Sequence, residues 1–110
     1  MSNKYFRQFD APAADTDITL YTVPEANTAI LSSLRVTNAD SASTLLNVSI
    51  QPVGEATAYK VLSNHFLPVN SVMDVFSGVS CVMEAGDQLI IKSSQADVDF
   101  YLSYLEIDRT

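Results

Sequence analysis

The feature that most constrains the fold of this chain is a two-residue alternation of side chains that recurs along most of its length. It is clearest over residues 28–38, where two rows of side chains point to opposite faces. Side chains of a strand alternate in this way, whereas a helix repeats its apolar residues every three or four positions. No segment shows a sustained helical repeat. The alternation therefore predicts strands and argues against a helical bundle.

Turn-forming residues interrupt this alternation about every ten residues. Pro24, residues 38–43, residues 52–54 and the Gly86-Asp87 pair each end a run of strand-like sequence. About eight short strands at this spacing are typical of an all-β sandwich or barrel. We predict a single antiparallel β-sandwich over residues 17–110, jelly-roll-like, with about eight strands.

Residues 1–16 differ from the rest of the chain because they show no period. Pro12 excludes a helix interior there, so we predict an extended N-terminal arm. The arm carries Tyr5, Phe6 and Phe9, and burial of one such ring contributes about 2 kcal/mol. The arm can fold back on its own sandwich as an edge strand or reach a neighbouring subunit. The sequence leaves both arrangements open.

Composition excludes functions more readily than it identifies one. The 110 residues include thirteen acidic and six basic side chains, which gives a formal net charge of -7. Sequence-independent binding of nucleic acid needs clustered Lys and Arg, so we expect no nucleic acid partner. No apolar stretch approaches the roughly 18 residues of a membrane span, and we expect no membrane partner. The first residues lack the apolar core of a signal peptide, which predicts synthesis in a reducing cytoplasm.

Few residues are suited to chemistry. His65 is the only histidine and Cys81 the only cysteine, and neither has neighbours in sequence that would activate it. No 12-residue loop of oxygen ligands surrounds the two closely spaced carboxylate pairs. These pairs are Asp15 with Asp17, and Asp97 with Asp99. We therefore predict a non-enzymatic protein with no catalytic residues, no metal and no cofactor.

Several predicted strands carry apolar side chains on both faces. A sandwich buries one face of each sheet, so a surplus on the other face suggests a surface for another subunit. An error in the assumed register would create the same surplus. The predicted partner-binding residues combine this surplus with the aromatic arm: Tyr5, Phe6, Phe9, Leu31, Phe66, Tyr101 and Leu105.

A series of short motifs follows in a fixed order along residues 11–107. They are Ala-Pro-Ala-Ala at 11–14, Thr-Leu-Tyr-Thr-Val-Pro at 19–24, a long strand at 27–38 that ends at an Asn, Leu67-Pro68, Gly86-Asp87 with an apolar strand after it, and Glu106-Ile107. In this order and spacing they resemble small virion structural proteins of tailed bacteriophages. Glu25 departs from the pattern, because a small residue usually stands there in that family.

The resemblance implies a β-sandwich subunit of a phage particle, made in the host bacterial cytoplasm, and it transfers no catalytic residue. We expect a capsid decoration (cement) protein on the capsid surface, a homotrimer that binds the major capsid protein. The alternative is a tail, baseplate or fibre-attachment protein whose partners are tail or baseplate proteins. A third hypothesis is a carbohydrate-binding adhesion module, with Tyr21, Tyr59 and Tyr101 as candidate stacking residues.

Overall fold

A computed structural model describes residues 3–108, which form nine strands and no helix. The strands are β1 (Asn3–Asp10), β2 (Ile18–Thr22), β3 (Asn27–Asn38), β4 (Thr44–Gln51), β5 (Tyr59–Leu67), β6 (Val72–Asp74), β7 (Cys81–Met83), β8 (Gln88–Ser93) and β9 (Val98–Asp108). All strand pairs are antiparallel. The predicted all-β antiparallel sandwich is confirmed. Within the described range, no helix is long and apolar enough to cross a membrane.

The strands form two sheets that enclose one core. The first, here called the β1 sheet, has the order β1-β9-β3-β6, with β7 also paired to β3. The second, the β2 sheet, has the order β2-β8-β4-β5. Strands β6 and β7 pair with different segments of β3, so together they occupy one strand position at the sheet edge, interrupted by the residues between them. We call this strand position the split lane. When this lane is counted as one strand, the chain passes between the sheets in the order of a jelly roll.

The inner faces of both sheets supply the core. Strand β9 shows the expected pattern most regularly, because Val98, Phe100 and Leu102 are buried while the residues between them are not. Leu46 and Val48 of β4 and Leu89 and Ile91 of β8 cover them from the opposite sheet. The predicted alternation therefore identifies the core-facing side chains of the last strand.

The alternation fails in β3. Its pairing with β9 shifts register between Leu31 and Ser33, where a β-bulge adds one residue. A bulge moves the later residues of a strand to the opposite parity, so Leu31 and Leu34 both point into the core. Leu31 is 0% exposed. The expectation that Leu31 lies on a solvent-facing surface is therefore wrong.

The first described residues form an edge strand. Strand β1 pairs with β9 of the same chain over its full length, and all of its residues are exposed. The chain then crosses to the β2 sheet with Pro12 buried, and the N–H of Asp15 donates to the Ser93 carbonyl at 2.8 Å. The division into an arm at 1–16 and a sandwich at 17–110 stays a prediction.

A buried asparagine holds the loops at one end of the sandwich. The Nδ2 group of Asn38 lies 3.0 Å from the carbonyl oxygen of Ala42 and 3.2 Å from those of Leu67 and Pro68. Its Oδ1 atom accepts a hydrogen bond from the N–H of Asp40 at 3.0 Å. Buried polar atoms are costly unless they are paired, so one side chain fixes the loops that follow β3 and β5.

Candidate interaction surface on the β1 sheet

The residues that suggested chemistry are placed apart from one another. His65 is exposed on β5, whereas Cys81 is half-buried on β7. Burial raises the pKa of the Cys81 thiol, which favours its neutral and less reactive form. Among residues 3–108, no group of three His, Cys, Asp or Glu side chains is arranged to hold a metal ion. The strongest candidate site is a surface, the outer face of the β1 sheet.

One row of apolar side chains crosses four strands of this outer face. Tyr5 lies opposite Leu105, Leu105 opposite Ile30, and Ile30 opposite Val82. Tyr5 is 81% exposed, Val82 is also exposed, and the two middle residues are partly exposed. Opposite residues of antiparallel strands have their Cβ atoms about 5 Å apart, so these four side chains form a continuous strip. We call it the apolar row.

A second row on the same face is aromatic and charged. Phe9 lies opposite Tyr101, and Tyr101 lies opposite Arg35. The rings of Phe9 and Tyr101 meet edge to face with centroids 4.6 Å apart, and they are 55% and 37% exposed. These residues line a groove of about 590 Å³. Its other lining residues are Asp10, Ala11, Thr37, Asp99 and Phe100.

The β1 sheet carries basic side chains beside its aromatic ones. Lys4 and Arg7 lie on β1 and Arg35 lies on β3, so this sheet holds three of the six basic residues of the chain. The guanidinium of Arg7 lies 5.3 Å from the centre of the Phe9 ring, within the range of a cation–π contact. The same strands also carry five acidic residues, so the sheet is mixed in charge: Asp10, Asp74, Asp99, Glu106 and Asp108.

The inner side of β1 ties the strand to the sandwich. The ring of Phe6 stacks on that of Tyr104 with centroids 5.7 Å apart, and the Nε2 group of Gln8 donates to the Tyr104 hydroxyl at 3.2 Å. The ring of Tyr104 in turn lies 4.2 Å from that of Tyr21 in the opposite sheet. Phe6 therefore faces inward, whereas the other two aromatic residues of β1 face outward.

Tyr21 takes part in a polar cluster rather than in a binding surface. Its hydroxyl donates to Oε2 of Glu106 at 2.6 Å, and the Nδ2 group of Asn27 donates to Oε1 of the same carboxylate at 3.0 Å. Burial and this hydrogen bond raise the pKa of Tyr21 far above its ordinary value, so the hydroxyl stays a donor at neutral pH. Because Tyr21 is buried, its expected role in stacking on a sugar is wrong.

The predicted partner-binding residues fall into four places. Tyr5, Phe9, Tyr101 and Leu105 share the outer face of the β1 sheet. Phe6 packs inward from β1, and Leu31 is in the core. Phe66 is 59% exposed, but it lies on β5 in the other sheet, opposite Leu45. Whether any of these residues binds a partner stays a prediction.

Sequence reasoning missed Ile30, Arg35 and Val82 on this face. Their strand neighbours are set by pairing between segments far apart in the chain, and no local pattern in the sequence reports that pairing. The alternation in β3 was a partial signal for Arg35, because it places this residue outward, away from Leu34.

Comparisons with known proteins bear on the fold. No protein-family model and no curated protein matches the chain. Among solved structures, a chain of the T13 particle of infectious bursal disease virus (IBDV) matches with a TM-score of 0.51 and 14% identity, covering 94% of this chain and 30% of that chain. A chain of the IBDV Gx strain matches with a TM-score of 0.47 and 16% identity, covering 96% and 30%. A pentameric capsid protein isolated from metagenomic phage sequences matches with a TM-score of 0.42 and 16% identity, covering 92% and 60%.

At these identities the similarity concerns the fold alone. The chain spans about 30% of the length of the IBDV chain that it matches at a TM-score above 0.5. The sandwich is therefore one that a viral particle chain also contains. One fold hosts many functions, so the function has to be argued from the surface.

Proposed function

We propose that the chain is a non-enzymatic structural protein of a bacteriophage virion, and specifically a capsid decoration (cement) protein. In this role it binds the outer shell through the major capsid protein. The observation that carries the proposal is the outer face of the β1 sheet, where the apolar row and the aromatic groove lie on either side of the row formed by Arg7, Ser103 and Ser33. The sandwich that presents this face has a fold that a viral particle chain also contains. The motif resemblance to phage virion proteins supports the same role.

The physical basis of shell binding is burial of this face. Tyr and Arg are the residue types that most often dominate interface energies, and Tyr5, Tyr101 and Arg35 supply them here. Burial of exposed aromatic rings stabilises a contact without any chemical step. A rigid sheet also holds the side chains in place before binding, which lowers the entropic cost of association. The function is mechanical: many copies reinforce contacts between shell subunits.

The expected oligomer is a homotrimer, and this expectation rests on the resemblance. Light scattering on the purified chain tests it directly. A trimer mass supports the proposal, and a monomer mass at every concentration argues against assembly as a trimer in solution.

Shell binding is tested with undecorated particles of the phage that encodes the chain. Purified chain is mixed with the particles, which are then sedimented, and bound copies are counted and located by cryo-EM. We expect the wild type to saturate sites on the shell and the Tyr101→Ser variant to bind at least tenfold more weakly. Tyr59→Ser is the matched control, because Tyr59 is an exposed tyrosine on the other sheet. Density confined to the tail would instead support the tail or baseplate alternative.

A carbohydrate-binding role is the second candidate, and the groove is the observation that favours it. Exposed rings of Phe9 and Tyr101 can stack on the apolar face of a sugar, while Arg35 and Asp99 can bind its hydroxyl groups. A glycan array tests this role, with Tyr101→Ala as the variant that should lose any signal. An array without hits argues against carbohydrate binding.

A further inference from the structure

Strand β1 ends the β1 sheet with an unpaired edge. Within residues 3–108, one side of β1 pairs with β9 and no strand pairs with the other side. The pairing with β9 runs through eight consecutive residues without a register shift, so β1 is a regular strand. A regular exposed edge presents free N–H and C=O groups that can accept another strand.

The sequence of this edge is chemically self-complementary about Arg7. It reads Lys4-Tyr5-Phe6-Arg7-Gln8-Phe9-Asp10. Positions at equal distance from the centre are Lys4 with Asp10, of opposite charge, and Tyr5 with Phe9, both aromatic. An antiparallel pair of identical strands brings such positions directly opposite each other, since a two-fold axis relates them.

We propose that two copies of this chain associate through β1, in antiparallel register about Arg7. Each contact then contains two Lys4–Asp10 ion pairs and two Tyr5–Phe9 aromatic pairs. Opposite side chains share a face in this register, because each of these pairs joins positions of the same parity. The β1 sheets of the two copies become one continuous sheet, and their outer faces lie on the same side.

The like charges on the two-fold axis are separated by a contact inside each copy. The register places Arg7 opposite Arg7, which would be unfavourable if both guanidinium groups pointed along the axis. Each guanidinium instead leans over its own Phe9 ring at 5.3 Å, away from the centre of the contact. The cation–π contact therefore moves the two charges apart.

The neighbouring register is less favourable. Centring the pair on Phe6 places Tyr5 opposite Arg7 and Lys4 opposite Gln8, and it forms no ion pair. Charge complementarity thus selects the register about Arg7. The contact is independent of the proposed function, since edge pairing leaves the outer face uncovered and a two-fold contact can join neighbouring trimers.

Charge reversal with a compensating swap tests the contact. We expect Lys4→Asp and Asp10→Lys each to weaken association by roughly tenfold, because each turns two ion pairs into like-charge pairs. The double variant with both changes restores association. Lys4 also lies opposite Glu106 of its own chain, so Lys4→Asp creates a like-charge pair within the chain as well. Asp10→Lys does not relieve that repulsion. Restored association in the double variant therefore reports the contact between copies. Lys60→Asp is the control, an equal charge change on exposed β5.

Analytical ultracentrifugation of the full chain measures these affinities, and assembly on shells is measured separately. If both single variants associate as tightly as the wild type, or if the double variant fails to recover, the proposed register is wrong. A wild type that stays monomeric at the highest soluble concentration overturns the contact itself. Shell binding that persists in the charge variants leaves the proposed function standing.

Disulfide trapping gives a second measurement that does not depend on charge. In a Cys81→Ser background, Arg7→Cys places one thiol on each side of the two-fold axis, and mild oxidation should give covalent dimers. Phe6→Cys is the register control and should cross-link much less. Cross-linking of Phe6→Cys in preference to Arg7→Cys overturns the register, and absence of both dimers overturns the contact.

Discussion

The two exposed edge strands with aromatic residues, β1 and β5, are built differently. Strand β5 pairs with β4 through two register shifts, between Leu46 and Val48 and between Val48 and Ser49. Asn64 of β5 has a positive φ of 47°, and it exchanges hydrogen bonds of 3.0 and 3.1 Å with the side chain of Asn47. Strand β1 shows no such irregularity. Bulges disturb the ladder that an incoming strand needs, so β5 resists pairing and β1 permits it.

The same comparison extends to how each edge is held. Strand β1 is tied to the core by Phe6 and Gln8, which both contact Tyr104. Leu67, the last residue of β5, is the only buried residue of that strand. The irregular middle of β5 is held by the hydrogen bonds between Asn47 and Asn64. One edge is thus attached by an aromatic stack and the other by a local polar link.

The largest expected effect follows from removing the aromatic attachment of β1. Tyr104→Ala deletes a buried ring that touches both Phe6 and Tyr21, and we expect the free energy of unfolding to fall by about 3–5 kcal/mol. Denaturant unfolding measures the loss. Hydrogen exchange should show β1 losing protection before β5, and equal loss in the two strands would contradict the attachment described for β1.

Alkaline pH should loosen the same attachment. Burial raises the pKa of Tyr21 above its ordinary value of 10.0, and burial also raises the pKa of Tyr104. In the unfolded chain these hydroxyls ionise near pH 10, so the folded state binds more protons above that pH. The stabilisation from these two groups is then fully present below pH 10 and falls above it, by about 1.4 kcal/mol per pH unit for each proton. Unfolding of wild type and Tyr21→Phe between pH 9 and 11 measures this slope, which should be smaller in the variant.

A smaller effect is expected when the polar link of β5 is removed. Asn47→Ala deletes both hydrogen bonds with Asn64 at an exposed site, and we expect a loss of about 1 kcal/mol. Self-association of the variant is the more informative measurement, because relaxing the bulge should make β5 more prone to pair with another copy of the chain. Asn64→Gly is the matched control, since glycine keeps the positive φ and the backbone N–H. If light scattering shows that Asn47→Ala self-associates no more than the wild type, the contrast drawn between the two edges is wrong.

The smallest effect is expected at Phe66. This exposed side chain lies away from the β1 sheet, so Phe66→Ser should change the free energy of unfolding by less than about 0.5 kcal/mol. It should also leave association through β1 unchanged. A marked loss of shell binding by Phe66→Ser would show that the β2 sheet takes part in function.

The core-facing residues of a strand can be predicted from the sequence where the side-chain alternation is uninterrupted. The inward row of β9 was predicted correctly because each of its residues follows the two-residue period. Leu31 was placed on the wrong face because a bulge depends on the pairing between β3 and β9, which are far apart in the chain. A single added residue therefore decides whether a leucine is core or surface.

The candidate surface was predictable only in part for the same reason. Tyr5 and Phe9 were recognised as aromatic residues of an extended segment, and parity puts them on the face opposite Phe6. Which face is covered depends on Tyr104 and Tyr21, which are distant in the chain. Tyr101 followed from the alternation of β9. The alignment of Tyr5 with Val82, three strands away, is a property of the sheet and not of any one segment.

The split lane of β6 and β7 has a consequence for protein engineering. The chain leaves the sheet after Val75, whose N–H still donates to the Leu34 carbonyl of β3 at 2.8 Å, and Ser77 and Gly78 both have positive φ, at 50° and 82°. Both residues are exposed, and nothing lies within 4 Å of the position that a Cβ atom on Gly78 would occupy. Exposed loop tips tolerate insertions best. A foreign peptide inserted between Ser77 and Gly78 would project from the sheet edge opposite β1, so this lane offers a place for display of an epitope on the folded chain.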